Sequence, residues 1–332
     1  MELTYTDAQW RDLGTVTPLE GDFAYGADEN DFSVMFDGQA VPPVGGLLYA
    51  EGSDIGGMVT GYESKPDQGT FEVTGLTWTG IIGTRVLRPD PGQAYWTVSG
   101  DVAECAAQLV SRLGLGYIVH VDGTAAGIEA THRFSGSRSG AQQDSGRYMD
   151  GWAALWQLVS EHGCKVTMRW DDSARRVRLR VSRRGDWTGD EAADAGLATV
   201  GVTVSRPVNH LVCLGKGELE DRTVLDLYAD ASGSVSKTQA LSGRDEVAEV
   251  YDDSGAEDAA KLESDGRSKL ESLWAASREV TVTSAASGTS FDLGDLIGGE
   301  DPITGISATA TVTKKIASFS RGAMSWSYKS TA

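Results

Sequence analysis

Four histidines, three cysteines and a dense set of carboxylates are the residues that could do chemistry in this 332-residue chain. His120, His132, His162 and His210 are scattered. None forms an HExxH motif or any i, i+4 pair, so a zinc hydrolase would have no ligand set. They read as surface or strand residues. Cys105, Cys164 and Cys213 lie far apart and are odd in number. That argues against a disulfide framework, and no CxxC offers a zinc site. Cys164 follows His162 by two residues, yet it begins a strand of apolar character, a poor setting for a thiolate. Gly136-Ser137-Arg138-Ser139-Gly140 resembles a nucleophile elbow with arginine in the serine's place and reads as a flexible loop. Leu214-Gly215-Lys216-Gly217 follows a strand, but a second strand follows it, so no helix N-terminus is offered to a phosphate. Asp28-Glu29-Asn30-Asp31 and Asp252-Asp253 with Glu257-Asp258 lack the twelve-residue calcium loop and read as solvated acidic loops. Among 48 acids, carboxylate pairs for glycoside cleavage could be drawn almost anywhere and decide nothing. No catalytic, cofactor-binding or metal-ligating residue is assigned.

The elements that would carry any site are mostly short strands. Residues 1–95 read as β: Phe32, Val34 and Phe36 alternate with polar residues before an Asp37-Gly38 turn. Further strands are expected at Gly46–Ala50, Met58–Glu63, Thr70–Thr79 and Gly80–Leu87. Arg88-Pro89-Asp90-Pro91-Gly92 closes the segment as a candidate domain boundary. Residues 96–196 read as α+β. Ser99 could cap a helix bearing Val102, Ala106, Leu109, Val110 and Leu113, stopped by Gly114. Met149, Trp152, Leu155, Trp156 and Val159 recur at helical spacing, and strands follow at Cys164–Trp170 and Arg175–Ser182. Residues 197–332 return to β. Strands are expected at Val202–Ser205, Asn209–Gly215, Arg222–Tyr228, Glu279–Thr283, Phe291–Ile297, Thr309–Phe319 and Met324–Lys329. A helix interrupts them at Ala256–Ala276, and Gly266 should weaken it by about 1 kcal/mol against alanine.

Composition narrows the class. The 41 glycines, about 12% of the chain against a usual ~7%, fit many tight turns. The net charge of −19 opposes general attraction to nucleic acid or to anionic membranes. No run of ~18 apolar residues could span a bilayer. The start, Met1-Glu2-Leu3-Thr4, has no secretory signal pattern, and the cysteine usage suits a reducing cytoplasm. Charge is unevenly distributed. Residues 1–63 hold twelve acids and one base, Arg11, and residues 216–267 hold fourteen acids and six bases. Arg169, Arg175, Arg176, Arg178, Arg180, Arg183 and Arg184 gather in the middle. That cluster is either a solvated hairpin with arginine stems covering apolar surface or an interface for an acidic surface of a neighbouring subunit.

Two stretches carry a resemblance. One is Val208-Asn209-His210-Leu211-Val212-Cys213-Leu214-Gly215-Lys216-Gly217-Glu218, running on through Arg222 to Tyr228; the other is Phe291-Asp292-Leu293-Gly294-Asp295-Leu296-Ile297 before a long final hairpin. Both resemble tail-tip (baseplate) hub proteins of siphovirus-type phages, especially those of actinobacteria. The resemblance implies a mainly β fold with an α+β insertion: a β-barrel domain at 1–95, a helix-plus-hairpin middle domain at 96–196, and a second tail-tube-like barrel at 197–332 with a helical insertion near 256–276. It implies a non-enzymatic structural protein, a homotrimer whose six barrels continue the six-fold tail tube. Its partners would be the distal tail protein ring, the tape-measure protein and tip or fibre proteins, with genomic DNA passing the lumen without specific binding. The expected location is the distal tail tip of the virion, after assembly in the host cytoplasm. No cofactor is expected. The chain ends at Ala332 without a carbohydrate-binding, peptidase or lysozyme-like module, which sets it apart from longer hubs. The competing readings are a tail-associated cell-wall hydrolase and a host-surface adhesin.

Overall fold

The computed structural model describes all residues except 39–40, 136–147, 189–198, 257, 284–291, 301–302, 304, 306, 321–322 and 332. The elbow-like stretch Gly136–Gly140, Glu257 of the second acidic cluster, and Phe291 at the head of the second resemblance stretch lie outside the described residues. The chain divides into two compact units. Met1–Arg138, Gln142–Val200 and Val282–Thr331 form the first, and Gly201–Thr281 makes up most of the second.

In chain order the first unit begins with strands β1 (Leu3–Thr6), β2 (Asp12–Val16), β3 (Glu20–Gly26), β4 (Asp31–Asp37), β5 (Leu47–Tyr49), β6 (Gly56–Lys65) and β7 (Thr70–Thr77). A short helix α1 (Trp78–Gly83) follows, then β8 (Val86–Leu87), β9 (Thr97–Asp101), α2 (Val102–Arg112), β10 (Val119–Val121), β11 (Glu129–Arg133) and β12 (Met149–Asp150). Helix α3 (Gly151–Glu161) leads to the hairpin β13 (Cys164–Asp171) and β14 (Arg176–Arg183), then β15 (Asp186–Trp187). The chain leaves through β16 (Thr199–Val204). The second unit holds β17 (His210–Leu214), β18 (Val224–Ala229), β19 (Val235–Ser236), β20 (Ala248–Asp252) and helix α4 (Ala259–Ala275). The chain returns through β21 (Arg278–Thr283) to β22 (Leu296–Glu300), β23 (Ser307–Ser320) and β24 (Ala323–Thr331).

The fold is mainly β. In the first unit one sheet runs β24-β23-β3-β4-β7-β6-β5-β1-β2, with β22 on β23 and β15 on β22. β23 is long enough to serve two neighbours along one edge: its residues 307–311 pair with β22 and residues 314–320 with β3. A register shift between Val312 and Lys314 marks the change. The final strands are therefore stitched into the sheet of the first hundred residues. Alternation dictates the faces. In β4, Phe32, Val34 and Phe36 are buried, and Phe23 and Phe71 stack on Phe32 and Phe36 with ring centroids 4.6 and 5.6 Å apart.

The expected cut at 95/96 falls inside the first compact unit, the one at 196/197 lies four residues before that unit's limit at Val200, and Val282–Thr331 returns to the first unit. Within the first unit, buried residues from Leu3 to Val181 and from Leu293 to Phe319, the middle helices included, share one continuous apolar core. The Trp152 indole on α3 donates to the Gly26 carbonyl at 2.6 Å, and Trp170 of β13 stacks on Trp78 of α1. Arg88–Gly92 is no boundary either: Arg112 of α2 donates to the Arg88 carbonyl and to the Asp90 carboxylate. Two local expectations are also corrected. Gly80–Leu87 begins as helix, not strand, because Trp78, Ile81 and Ile82 are all buried, which suits a helical turn. The cap of α2 is Asp101, which accepts from the Ala103 amide at 2.9 Å, while Ser99 lies inside β9.

In the second unit the sheet order is β19-β18-β17-β20, with β17 antiparallel to β18 and parallel to β20. Helix α4 lays Leu262 and Leu270 against Leu211, Cys213 and Leu227. Gly266 is what lets the helix approach. A Cβ there would stand 2.5 Å from the Cys213 sulfur. The glycine thus trades helix propensity for close packing.

Candidate functional site: clamps and charged faces

The Asp292-Leu293-Gly294-Asp295 motif is a turn, where a strand was expected, and a clamp. The Asp295 carboxylate is fully buried. It accepts from the Gly185 amide at 2.6 Å, the Asp292 amide at 2.7 Å and the Lys165 ammonium at 2.7 Å. Gly294 takes φ +93° beside Lys165, a conformation and a space that suit only glycine. Asp292 and Asp54 both hold Lys315, whose ammonium also lies 4.2 Å from the Trp326 ring centre. Burial alone would lower the Lys315 pKa, but the two carboxylates outweigh it and raise it, so this lysine stays charged. Lys314 is bound likewise to Glu29. These groups fasten β22 and β23 to their neighbours and are saturated by one another.

The Asn209–Gly217 motif does the equivalent work in the second unit. The buried Asn209 side chain donates to the Asp245 carbonyl at 2.7 Å and accepts from the Val247 amide at 3.0 Å. His210 stands between Glu246 (2.6 Å) and Asp226 (2.8 Å) and stacks on Tyr228. Burial acts to lower its pKa, while the two carboxylates raise it further, with a net upward shift. Gly215-Lys216-Gly217 is a strand-to-strand connection, as expected: the Gly215 amide donates to the Thr223 carbonyl at 2.8 Å, the Thr223 amide donates to the Lys216 carbonyl at 2.9 Å, and Gly217 adopts φ +109°. The start of α4 is capped by its own Asp258, which accepts from the Lys261 amide.

The structure brings together two histidines that lie thirty positions apart. His132 Nδ1 is 3.2 Å from His162 Nε2 and 3.4 Å from a Glu161 oxygen. His132 is buried, and that burial lowers its pKa against the opposing pull of Glu161. It sits on the strand pair β9–β11, a pairing that no local periodicity announces. Among the described residues, no group of three or more His, Cys, Asp or Glu is arranged to hold a metal ion. All three cysteines are buried and free. Burial, then nearby carboxylates, raises the pKa of Cys105 and pushes that of Cys213 up to about 11, away from thiolate chemistry; burial likewise raises that of Cys164. No helix among the described residues is long and apolar enough to cross a membrane.

Two charged faces remain. The solvent side of β3, β4, β7 and β6 carries Glu20, Asp22, Asp31, Asp37, Glu63 and Glu72, answered there by Lys65, which pairs with Glu72 at 2.7 Å. Asp22 shows the crowding: its pKa is raised by partial burial, then by Glu29 and Asp31, against the pull of Lys314. The other face belongs to the sheet β10-β14-β13. Val119, Val166, Met168, Val177, Leu179 and Val181 are buried with helices α2 and α3, so alternation turns Arg169, Arg178 and Arg180 outward.

No protein-family model matches the chain, and no curated protein matches it by sequence. Solved structures do. The tail protein from Neisseria meningitidis MC58 aligns over 100% of this chain and 96% of its own, with a TM-score of 0.51 and 11% identity. The 43 kDa tail protein of prophage MuSo2 from Shewanella oneidensis aligns over 100% and 98%, with a TM-score of 0.52 and 14% identity. The chain has the fold of phage tail proteins. Both alignments span the chain from end to end.

Proposed function

We propose that this chain is a non-enzymatic hub at the distal end of a long non-contractile phage tail. Three copies form a ring, and two β modules per copy continue the six-fold tube. The observation that carries this reading is the end-to-end match to two phage tail proteins. The sheet of the first unit supports it further. β1–β7 form one half, and β15 with β22–β24 form the core of the other, the two meeting along β23. These halves are our candidates for the two tube-like modules, replacing a first module at 1–95 and a second at 197–332.

The acidic face on β3, β4, β6 and β7 is the proposed lumen lining. Carboxylates repel phosphates and remove the counterion-release gain that would hold DNA, so the genome passes without sticking. The outer partners are the distal tail ring, the tape-measure protein and tip or fibre proteins. The two motifs that drew attention in sequence fasten strands within their own units, which suits a ring under ejection. Immunogold labelling of purified particles is expected to mark the tail tip. Label on the capsid, or none on particles, would overturn the reading.

A further inference from the structure

The arginine face on β13 and β14 is unlike the rest of this acidic chain. Arg169 and Arg178 stand directly opposite each other in the ladder, and Thr167 faces Arg180. Arg176, Arg178 and Arg180 alternate along β14 at every second position, and His120 of β10 is in register with Arg178 on the other side. Like charges directly opposite destabilise a sheet, so local stability does not account for this arrangement. Internal pairing is sparse. Arg178 is bound to Asp171 at 2.5 Å, and Arg176 donates to the Gly116 carbonyl at 3.2 Å. Arg169 and Arg180 are exposed and make no ion pair among the described residues. Helices cover the opposite side of the sheet; on this side the Lys165 end is held by the buried Asp295, while Arg169, Arg178 and Arg180 stay exposed.

We propose that this arginine face is the contact surface for a second copy of this chain, met through that copy's acid-rich second unit. The inference rests on the ring reading above and specifies its contact. Charge decides the occupant. Two copies cannot join by apposing this same face, because guanidinium groups would meet guanidinium groups. Two acid-rich stretches could supply the complement: residues 1–63, with twelve acids against one base, which the ring reading gives to the lumen, and residues 216–267, with fourteen against six, which remain for the contact. A contact between two different patches is heterologous, and its repetition closes a ring when the rotation allows. Arginine suits the task, since its planar fork pairs with carboxylates two bonds at a time.

The test uses the full chain and the variant Arg169→Glu/Arg180→Glu, with Arg169→Lys/Arg180→Lys as the charge-keeping control. Native mass spectrometry is expected to find the wild-type oligomer at low salt and progressive dissociation as salt rises. The Glu variant should associate at least about tenfold more weakly, with unchanged circular dichroism, while the Lys variant still assembles. Mixed in excess with wild type, the Glu variant retains its acidic patch and should cap wild-type copies, giving open, smaller species. A Glu variant that assembles as wild type does would overturn this proposal and leave the hub reading standing. So would a Glu variant that loses only affinity for a DNA duplex. A wild type that is monomeric at every salt and absent from particles would remove the hub reading as well.

Discussion

The first unit buries one core, drawn from Leu3 to Val181 and from Leu293 to Phe319, with aromatic stacks at Phe23–Phe32, Phe36–Phe71 and Trp78–Trp170. Among the described residues, the second has a smaller apolar cluster of Leu211, Cys213, Leu227, Ala229, Ala256, Leu262 and Leu270. The larger core tolerates charge inside it, because Asp295, Lys165, Asp292 and Lys315 are paired and hydrogen-bonded there. The smaller one depends on fit, down to a missing methyl at Gly266. The contrast teaches that two short motifs of similar look are fixed differently: a buried carboxylate that holds an ammonium in one unit, an asparagine bonded to backbone and a histidine set between two carboxylates in the other.

The largest expected effect lies in the first unit. Asp295→Ala leaves the Lys165 ammonium and two amides without their acceptor. It should cost about 3–5 kcal/mol in urea unfolding followed by circular dichroism. A loss below about 1 kcal/mol would mean the clamp is not what holds β22 in place. In the second unit Gly266→Ala should cost about 1–3 kcal/mol despite alanine's better helix propensity, because its methyl meets the Cys213 sulfur. Pairing it with Cys213→Ala should restore part of the loss. If Gly266→Ala stabilises the protein, close approach is not the reason for the glycine.

The histidines give the sharpest contrast in sign. His210 has a raised pKa, so its contribution is fully present below the free-histidine value and is lost as pH rises through the higher, folded value. His132 has a lowered pKa, so its contribution is present above the free-histidine value and is lost as pH falls through the lower, folded value. Between about pH 6 and 8, His210→Gln should therefore cost more stability at the acid end, and His132→Gln more at the alkaline end. Each effect should be about 1 kcal/mol or less, read as the pH dependence of the melting temperature. Equal slopes in both variants would erase the distinction. The smallest effect is expected from Asp22→Asn. Removing one carboxylate from the crowded acidic face should stabilise the first unit at neutral pH by about 0.5 kcal/mol or less, an effect that shrinks at high salt.

Much of the local structure was legible in the residues. The alternation of Phe32, Val34 and Phe36, the helical spacing from Met149 to Val159, and the two-stranded pattern of Cys164–Trp170 with Arg175–Ser182 all reappear as β4, α3 and the β13–β14 hairpin. What was not legible is long-range. Nothing local says that residues 314–320 pair with Glu20–Gly26, and that one ladder makes the 95/96 cut misleading. α1 was misread because a four-residue apolar stretch fits strand or helix equally. Asp101, not Ser99, caps α2, and its carboxylate also gathers the amides of Ala126, Gly127 and Ile128 from a loop that no local pattern ties to it. At the site level, the spacing of Arg176, Arg178 and Arg180 on an expected strand showed that they share a face, but not that the hairpin register sets Arg169 opposite Arg178.

The central claim is geometric: each chain contributes two β modules to a threefold ring around an acidic channel. Electron cryomicroscopy of the isolated oligomer tests it most directly. The account predicts three chains, with β1–β7 and the sheet half around β22–β24 alternating about the lumen as six similar walls. A ring of six chains, or three chains whose sheet halves do not alternate around the channel, would contradict it.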